Sequence, residues 1–279
     1  MTAVFAGGHA AFRAALAAAA ASYATARPFP HAVFHGLFDD ATLRACAEEF
    51  ARPAEMEKQM ISGVEFKSSE SRWERFGPRV HRVISELNSG FACEALEALT
   101  GERQLVSDPY LVGGGQHQIG RGGFLGVHTD FNVNERTGLF RRLNLLLYLN
   151  DGWRNEWEGA LELWDRAMTG PVVTVSPAMN TCVVFTTDNT SYHGHPKRLA
   201  CPPGSTRKSI ALYYYTSRMP EGQGEKPVDF RTTAEVGAHG GYRAQLSTAP
   251  THAKYLVGAL LPPRVLRLVR VAARRIRGR

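Results

Sequence analysis

The middle of the chain is built from short apolar runs rather than long amphipathic ones. Residues 142–150, 160–165, 172–176, 181–186 and 209–216 are rich in β-branched, aromatic and leucine side chains, and Gly, Pro, Asn and Asp punctuate them. Runs of that length and composition predict strands. Their number predicts a closed or nearly closed all-β core from about 106 to 217. Upstream the period changes. Between Asp39 and Phe50, apolar side chains recur at 43, 46, 47 and 50 behind two acidic residues, which predicts an amphipathic helix. An Ala-dominated helix is expected over 10–25, ended by Pro28 and Pro30. Further helices are expected over 75–88 and 91–100, the second stopped by Gly101. Segment 55–72 is polar and irregular and reads as a loop or lid. Segment 218–250 reads as a loop-rich excursion.

Composition narrows this picture. A chain of 279 residues is near the upper size for one hydrophobic core, so one main domain with appendages is expected. Cys46, Cys93, Cys182 and Cys201 show no Cys-x-x-Cys spacing, which predicts a reducing, cytoplasmic setting. No run approaches the roughly 18 consecutive apolar residues of a spanning helix. The Ala-rich stretch 10–22 is interrupted by Arg13 and has nothing basic before it, so it does not read as a signal peptide.

The formal net charge is +7, and the segment from Arg264 to Arg279 holds seven arginines with no Lys or acidic residue. The rest of the chain is therefore formally neutral, which argues against nucleic acid as a partner. In the tail, Val265, Val269, Ala272 and Ile276 share one helical face, opposite Arg267, Arg270, Arg274 and Arg277. That is a basic amphipathic pattern, suited to peripheral membrane or protein contact, or to docking on the protein itself.

The candidate chemistry lies in the β region. His128 and Asp130 flank Thr129, and residues i and i+2 of a strand point to one face, so an imidazole and a carboxylate can meet one ion. A second imidazole is available downstream at His193 or His195. Two His and one carboxylate form the facial triad of non-haem Fe(II) oxygenases. Farther on, alternation puts Arg207 and Ser209 on one face and Lys208 on the other. His117 lies in a β segment just before the pair and could face the same cavity.

Several ordered motifs carry a family resemblance: Gly-Gly-Gly-Gln-His-Gln-Ile (113–119), Gly-Gly-Phe-Leu-Gly-Val-His-Thr-Asp-Phe-Asn (122–132), Arg-Arg-Leu-Asn-Leu-Leu-Leu-Tyr-Leu-Asn (141–150) and Ser-Tyr-His-Gly-His-Pro (191–196). With Pro28–Phe38 as a similar opening, residues 28–217 resemble bacterial Fe(II)/2-oxoglutarate dioxygenases of the prolyl 4-hydroxylase type. The resemblance implies a mainly β fold with flanking helices, a double-stranded β-helix or cupin-like jelly roll. It implies His128, Asp130 and His193 as Fe(II) ligands, since the family's third ligand follows a Ser-aromatic pair, with His195 as the alternative. It implies Arg207, with Ser209, as the anchor for the distal carboxylate of 2-oxoglutarate, assisted by Tyr148, with Lys208 as the runner-up for Arg207.

The expected cofactors are Fe(II), 2-oxoglutarate and O₂, with ascorbate as an optional reductant. The expected reaction is hydroxylation of an unactivated C–H bond in a small-molecule, amino-acid-derived or peptidyl substrate, including prolyl groups, with release of succinate and CO₂. A carboxylate at 130, where related halogenases have a small residue, favours hydroxylation. The competing readings are a non-catalytic cupin-like metal- or ligand-binding protein and a metal enzyme that does not use 2-oxoglutarate. The expected organisation is a helical support over 1–105, a catalytic core over 106–218 forming one domain with 28–105, a loop-rich segment over 219–263, and the basic tail over 264–279. The expected location is the cytoplasm, with peripheral membrane contact through the tail.

Overall fold

The computed structural model describes residues 3–221 and 223–238. The basic tail at 264–279 and the 239–263 part of the segment before it lie outside the described residues.

Among the described residues there are six α-helices: α1 (Gly8–Ala18), α2 (Ala20–Thr25), α3 (Asp40–Glu48), α4 (Pro78–Leu87), α5 (Gly90–Thr100) and α6 (Ala234–Ala238). The strands, in chain order, are β1 (His31–His35), β2 (Lys58–Ile61), β3 (Glu65–Glu70), β4 (Val106–Ser107), β5 (Gly115–Gly120), β6 (Phe124–Thr129), β7 (Phe140–Tyr148), β8 (Leu161–Trp164), β9 (Pro171–Val175), β10 (Thr181–Thr186), β11 (His193–His195), β12 (Thr206–Thr216) and β13 (Asp229–Phe230). They pair in the order β1-β10-β7-β12-β5-β3-β6-β11-β8-β9, with β2 on β3, β4 on β12 and β13 on β6. One half, β1-β10-β7-β12-β5, folds over the other, β6-β11-β8-β9. Phe185 of β10 and His193 of β11 bring their ring centroids to 4.7 Å across the interior. The result is a nearly closed jelly roll with helices outside, as expected.

β7 shows why the sheet forms. It is largely buried on both faces, and from Leu143 to Tyr148 Asn144 alone interrupts its apolar and aromatic run. Leu143, Leu145 and Leu147 join the outer core with Phe12, Leu43, Val83 and Leu96 of the helices. Tyr148 instead packs with Leu161, Leu163, Val183 and Phe185 between the two halves. Asn144 and Leu146 alternate onto this same inner face, so β7 fixes the helices on one side and presents polar groups to the cavity on the other.

The helices follow the sequence pattern. α4 buries Val80, Val83, Ile84 and Leu87, an i, i+3, i+4, i+7 stripe. Asp39 caps α3 by accepting the Thr42 amide at 2.7 Å, and Ser89 caps α5. Gly101 ends α5 with φ 76°, a left-handed conformation that favours glycine.

Four expectations need correction. Segment 55–72 is not a loop but contains the β2–β3 hairpin, and β3 bridges β5 and β6. Its inward residues are polar, so the usual apolar alternation is missing. The 1–105 region is not purely helical, because β1 pairs with β10 and β3 is part of the barrel wall. The C-terminal excursion carries β13 and α6, and β13 pairs with β6. The 10–25 helix forms in two pieces that meet at Ala19.

Candidate metal centre

Strands β6 and β11 are antiparallel neighbours, and His193 stands directly opposite His128. Cross-strand partners share a face, so both rings enter the cavity. A register shift lies between this pair and the His195–Leu125 pair. His128, Asp130 and His193 each offer one ligand atom, all within 4.8 Å of one another. His195 is not part of this group.

The hydrogen bonds of the rings prepare them to bind a metal. His128 Nδ1 lies 2.9 Å from the Gly126 carbonyl, and His193 Nδ1 lies 3.0 Å from the Ser191 carbonyl. A carbonyl can only accept, so both Nδ1 atoms carry the proton in neutral rings and Nε2 keeps its lone pair. The two Nε2 atoms face Asp130 at 3.6 and 3.5 Å. Burial lowers the His193 pKa to about 4, outweighing the opposite effect of Asp130. Burial alone would raise the Asp130 pKa, but Arg141, His193 and His128 hold this carboxyl well below the usual range. Two neutral imidazoles and one carboxylate form a donor set that suits a divalent cation.

Asp130 is oriented by two residues that the sequence reading left without a role. Arg141 Nη2 is 3.1 Å from Asp130 Oδ2, and Asn144 Nδ2 donates to the same oxygen at 2.8 Å. Thr129 points away, as expected, and its hydroxyl accepts from Lys226 Nζ at 2.6 Å. Phe230 of β13 stacks on His128 with centroids 5.0 Å apart. Arg141 and Asn144 sit inside an apolar run that reads as plain strand. Lys226 and Phe230 fall in a segment with no periodicity.

The cationic arm lies on the same inner face. Arg207 is 5 % exposed. Its Nε donates to the Gly159 carbonyl at 2.7 Å and its Nη2 to Tyr148 Oη at 3.2 Å. Gly159 has φ 82°, and a Cβ there would meet Leu199 at 2.4 Å and Arg207 Cδ at 3.1 Å, so only glycine leaves the path for this side chain. Burial raises the Tyr148 pKa despite Arg207, leaving a neutral hydroxyl beside the guanidinium. Ser209 stands opposite both Tyr148 and His117 on the neighbouring strands and shares their face. The Lys208 amide, by contrast, bonds Asn150 Oδ1 at 2.6 Å on the strand between these inward residues. His195 is 3 % exposed, neither ring nitrogen bonds a protein group, and the Arg207 charge bears on it. An orphaned imidazole between a guanidinium and the triad fits a cavity made for a polar, anionic co-substrate.

Residues 114–215 match the family model of the 2OG-Fe(II) oxygenase superfamily. This span, somewhat over a third of the chain, carries the triad, Tyr148, Arg207 and Ser209. No curated protein sequence matches the chain. Among solved structures it resembles a prolyl 4-hydroxylase from Phytophthora capsici, with TM-score 0.55 and 18 % identity over 87 % of this chain and 76 % of that one. It also resembles a Trichoplax adhaerens prolyl hydroxylase in complex with a hypoxia inducible factor peptide, with TM-score 0.52 and 15 % identity over 73 % and 90 % of the two chains. Likeness at these identities is a likeness of fold.

Proposed function

We propose that this chain is an Fe(II)- and 2-oxoglutarate-dependent hydroxylase, with His128, Asp130 and His193 as metal ligands and Arg207, Tyr148 and Ser209 as the co-substrate arm. The observation that carries this reading is the pairing of two bare Nε2 lone pairs and a carboxylate with a buried Arg–Tyr couple on one inner face. When bound, Fe(II) with 2-oxoglutarate and O₂ supplies oxidative decarboxylation to succinate and CO₂ and hydroxylation of a C–H bond.

The chain's own residues do the rest. Gly126 and Ser191 carbonyls fix the imidazole tautomers, and Arg141 and Asn144 hold the carboxylate. Arg207 offers a charge-assisted hydrogen bond to a distal carboxylate, and Tyr148 adds a hydroxyl. Phe230 stacks on the His128 ring and Phe185 meets the His193 ring edge-on, which holds both imidazoles in place. A non-catalytic cupin-like protein has no use for Arg207 beside Tyr148, and neither does a metal enzyme that works without 2-oxoglutarate.

The proposed substrate is a prolyl or other amino-acid-derived compound, the class suggested by the likeness to prolyl hydroxylases, although a fold alone does not select a substrate. Succinate release from 2-oxoglutarate in the presence of Fe(II) and air tests the reaction, and mass spectrometry of candidate amino acids and peptides reads the product as a gain of one oxygen. Among the described residues no helix is long and apolar enough to cross a membrane. The tail from 264 to 279 is proposed as a peripheral contact for anionic lipid or a partner protein, in a cytoplasmic enzyme.

A further inference from the structure

The β2–β3 hairpin builds a second polar pocket on the inner face. Register fixes its position: Lys58 stands opposite Ser69, Ser69 opposite His117, His117 opposite Ser209, and Ser209 opposite Tyr148. Residues so paired share one face, so this row runs from the hairpin to the co-substrate arm across five strands. A pocket of about 120 Å³ opens at the hairpin end, lined by Lys58, Met60, Lys67, Ser69, Ser71 and His117 over the Gly113–Gly114 backbone. It contains none of the triad and neither Arg207 nor Tyr148, so 2-oxoglutarate bound by that arm leaves it open.

The chemistry of the lining is one-sided. Two ammonium groups line the pocket and no carboxylate does. Lys67 is 16 % exposed, and its charge reaches inward to both His117 and the buried His195. His117 Nε2 donates to the Gly113 carbonyl at 3.0 Å, which fixes that ring. Two carboxylates touch lining residues, and both are engaged: Glu65 pairs with Lys67 at 3.4 Å, and Glu57 accepts from the Ser71 hydroxyl and amide. Glycine is required in the floor, because a Cβ on Gly114 would sit 2.8 Å from the Ala211 carbonyl oxygen.

We propose that this pocket binds a compact anionic group, a carboxylate or a phosphate, carried by the substrate, with Lys67 as its principal contact. The inference rests on the hydroxylase reading, because it takes the Arg207 arm to be filled by 2-oxoglutarate.

The test is calorimetric titration of the full chain, loaded with Mn(II) and 2-oxoglutarate without oxygen, using inorganic phosphate and acetate as the two probes. One probe should bind at one equivalent, and the tighter of the two names the source group. Lys67→Met should weaken that binding about tenfold or more, and Lys67→Arg should restore most of it. Unchanged binding by Lys67→Met would overturn the proposal, and so would a wild-type protein that takes Mn(II) and 2-oxoglutarate but neither anion. Loss of 2-oxoglutarate binding in Lys67→Met would also overturn it, by making Lys67 part of the co-substrate arm. A wild-type protein that binds neither Mn(II) nor 2-oxoglutarate would instead defeat the hydroxylase reading, and this inference with it.

Discussion

Arg141 lies 3.1 Å from Asp130 Oδ2 with 1 % of its side chain exposed, so the carboxylate of the candidate metal centre is already half of a buried ion pair. The guanidinium is stacked 3.4 Å from the Tyr213 ring centroid, faces Phe131 at 4.8 Å, and donates from Nε to Asn144 Oδ1 at 2.8 Å. Both Arg141 and Asn144 take the same oxygen, which leaves Oδ1 facing His128 Nε2. The fold thus sets the carboxylate's orientation before any ion arrives.

Removing one member of a buried pair strands the other. Arg141→Met should destabilise the metal-free protein by roughly 3–5 kcal/mol, and adding Asp130→Asn should recover a large part of that loss. Denaturant unfolding of the single and double variants measures this. Additive losses would show that the pair is not coupled. The same reasoning makes Asp130→Ala a poor probe of catalysis, since it leaves Arg141 charged and unpaired, and makes His128→Ala the cleaner one.

Arg207→Ala should raise the 2-oxoglutarate requirement by about tenfold or more, on the order of 1.5–3 kcal/mol for a charge-assisted contact, while Lys208→Ala should change it little. Titration of 2-oxoglutarate in a succinate-release assay decides between them. A larger effect in the lysine variant would contradict the register of β12.

His193 and His195 are two residues apart and should behave differently. His193→Ala should weaken Fe(II) binding by more than about a hundredfold, beyond the usual effect of losing a supporting residue, whereas His195→Ala should bind Fe(II) normally. Equilibrium metal titration distinguishes the two. Loss of metal in the His195 variant would reassign the third ligand.

Much of this centre is legible in the sequence, because i and i+2 alternation places His128 with Asp130 and Arg207 with Ser209 without any tertiary information. The β7, β10 and β12 runs are equally plain, since each carries a stretch of consecutive apolar or aromatic residues. The hairpin was hidden for the opposite reason: Glu65, Lys67 and Ser69 face a polar cavity, so no hydrophobic period marks the strand. Arg141 and Asn144 are visible as letters, but their role depends on Asp130 being opposite them in space. Phe230 reaches His128 only through pairing of β13 with β6, a contact a hundred residues away in sequence that no local pattern signals.

Acid should destabilise the metal-free protein from near-neutral pH downward. Burial, aided by nearby cations, lowers His117 to about 3; burial lowers His193 to about 4; and burial with Arg207 and Lys67 holds His195 well below its ordinary value. An unfolded histidine titrates at about 6.5, its ordinary value. Between roughly pH 6.5 and 4 the unfolded chain therefore binds more protons than the native one, and each such group costs up to ~1.4 kcal/mol per pH unit as pH falls. Asp130 works in a lower window, because its depressed carboxyl stabilises the native state above the ordinary carboxyl range and loses that contribution only below it. Thermal midpoints across pH 4–7.5 read the sum, and a midpoint that is flat or rises toward pH 4 would contradict the burial of these neutral rings.

The most direct test of the account is succinate formation from 2-oxoglutarate by wild-type protein and by His128→Ala, each supplied with Fe(II) and air. The wild type should release succinate even without its substrate, slowly and only with Fe(II), and His128→Ala, still folded by circular dichroism, should release none above the iron-only blank. Equal succinate release by the two proteins, or a wild type that binds Fe(II) and 2-oxoglutarate yet never releases succinate with any amino-acid-derived compound, would contradict the assignment of the triad as the centre of a 2-oxoglutarate-dependent hydroxylase.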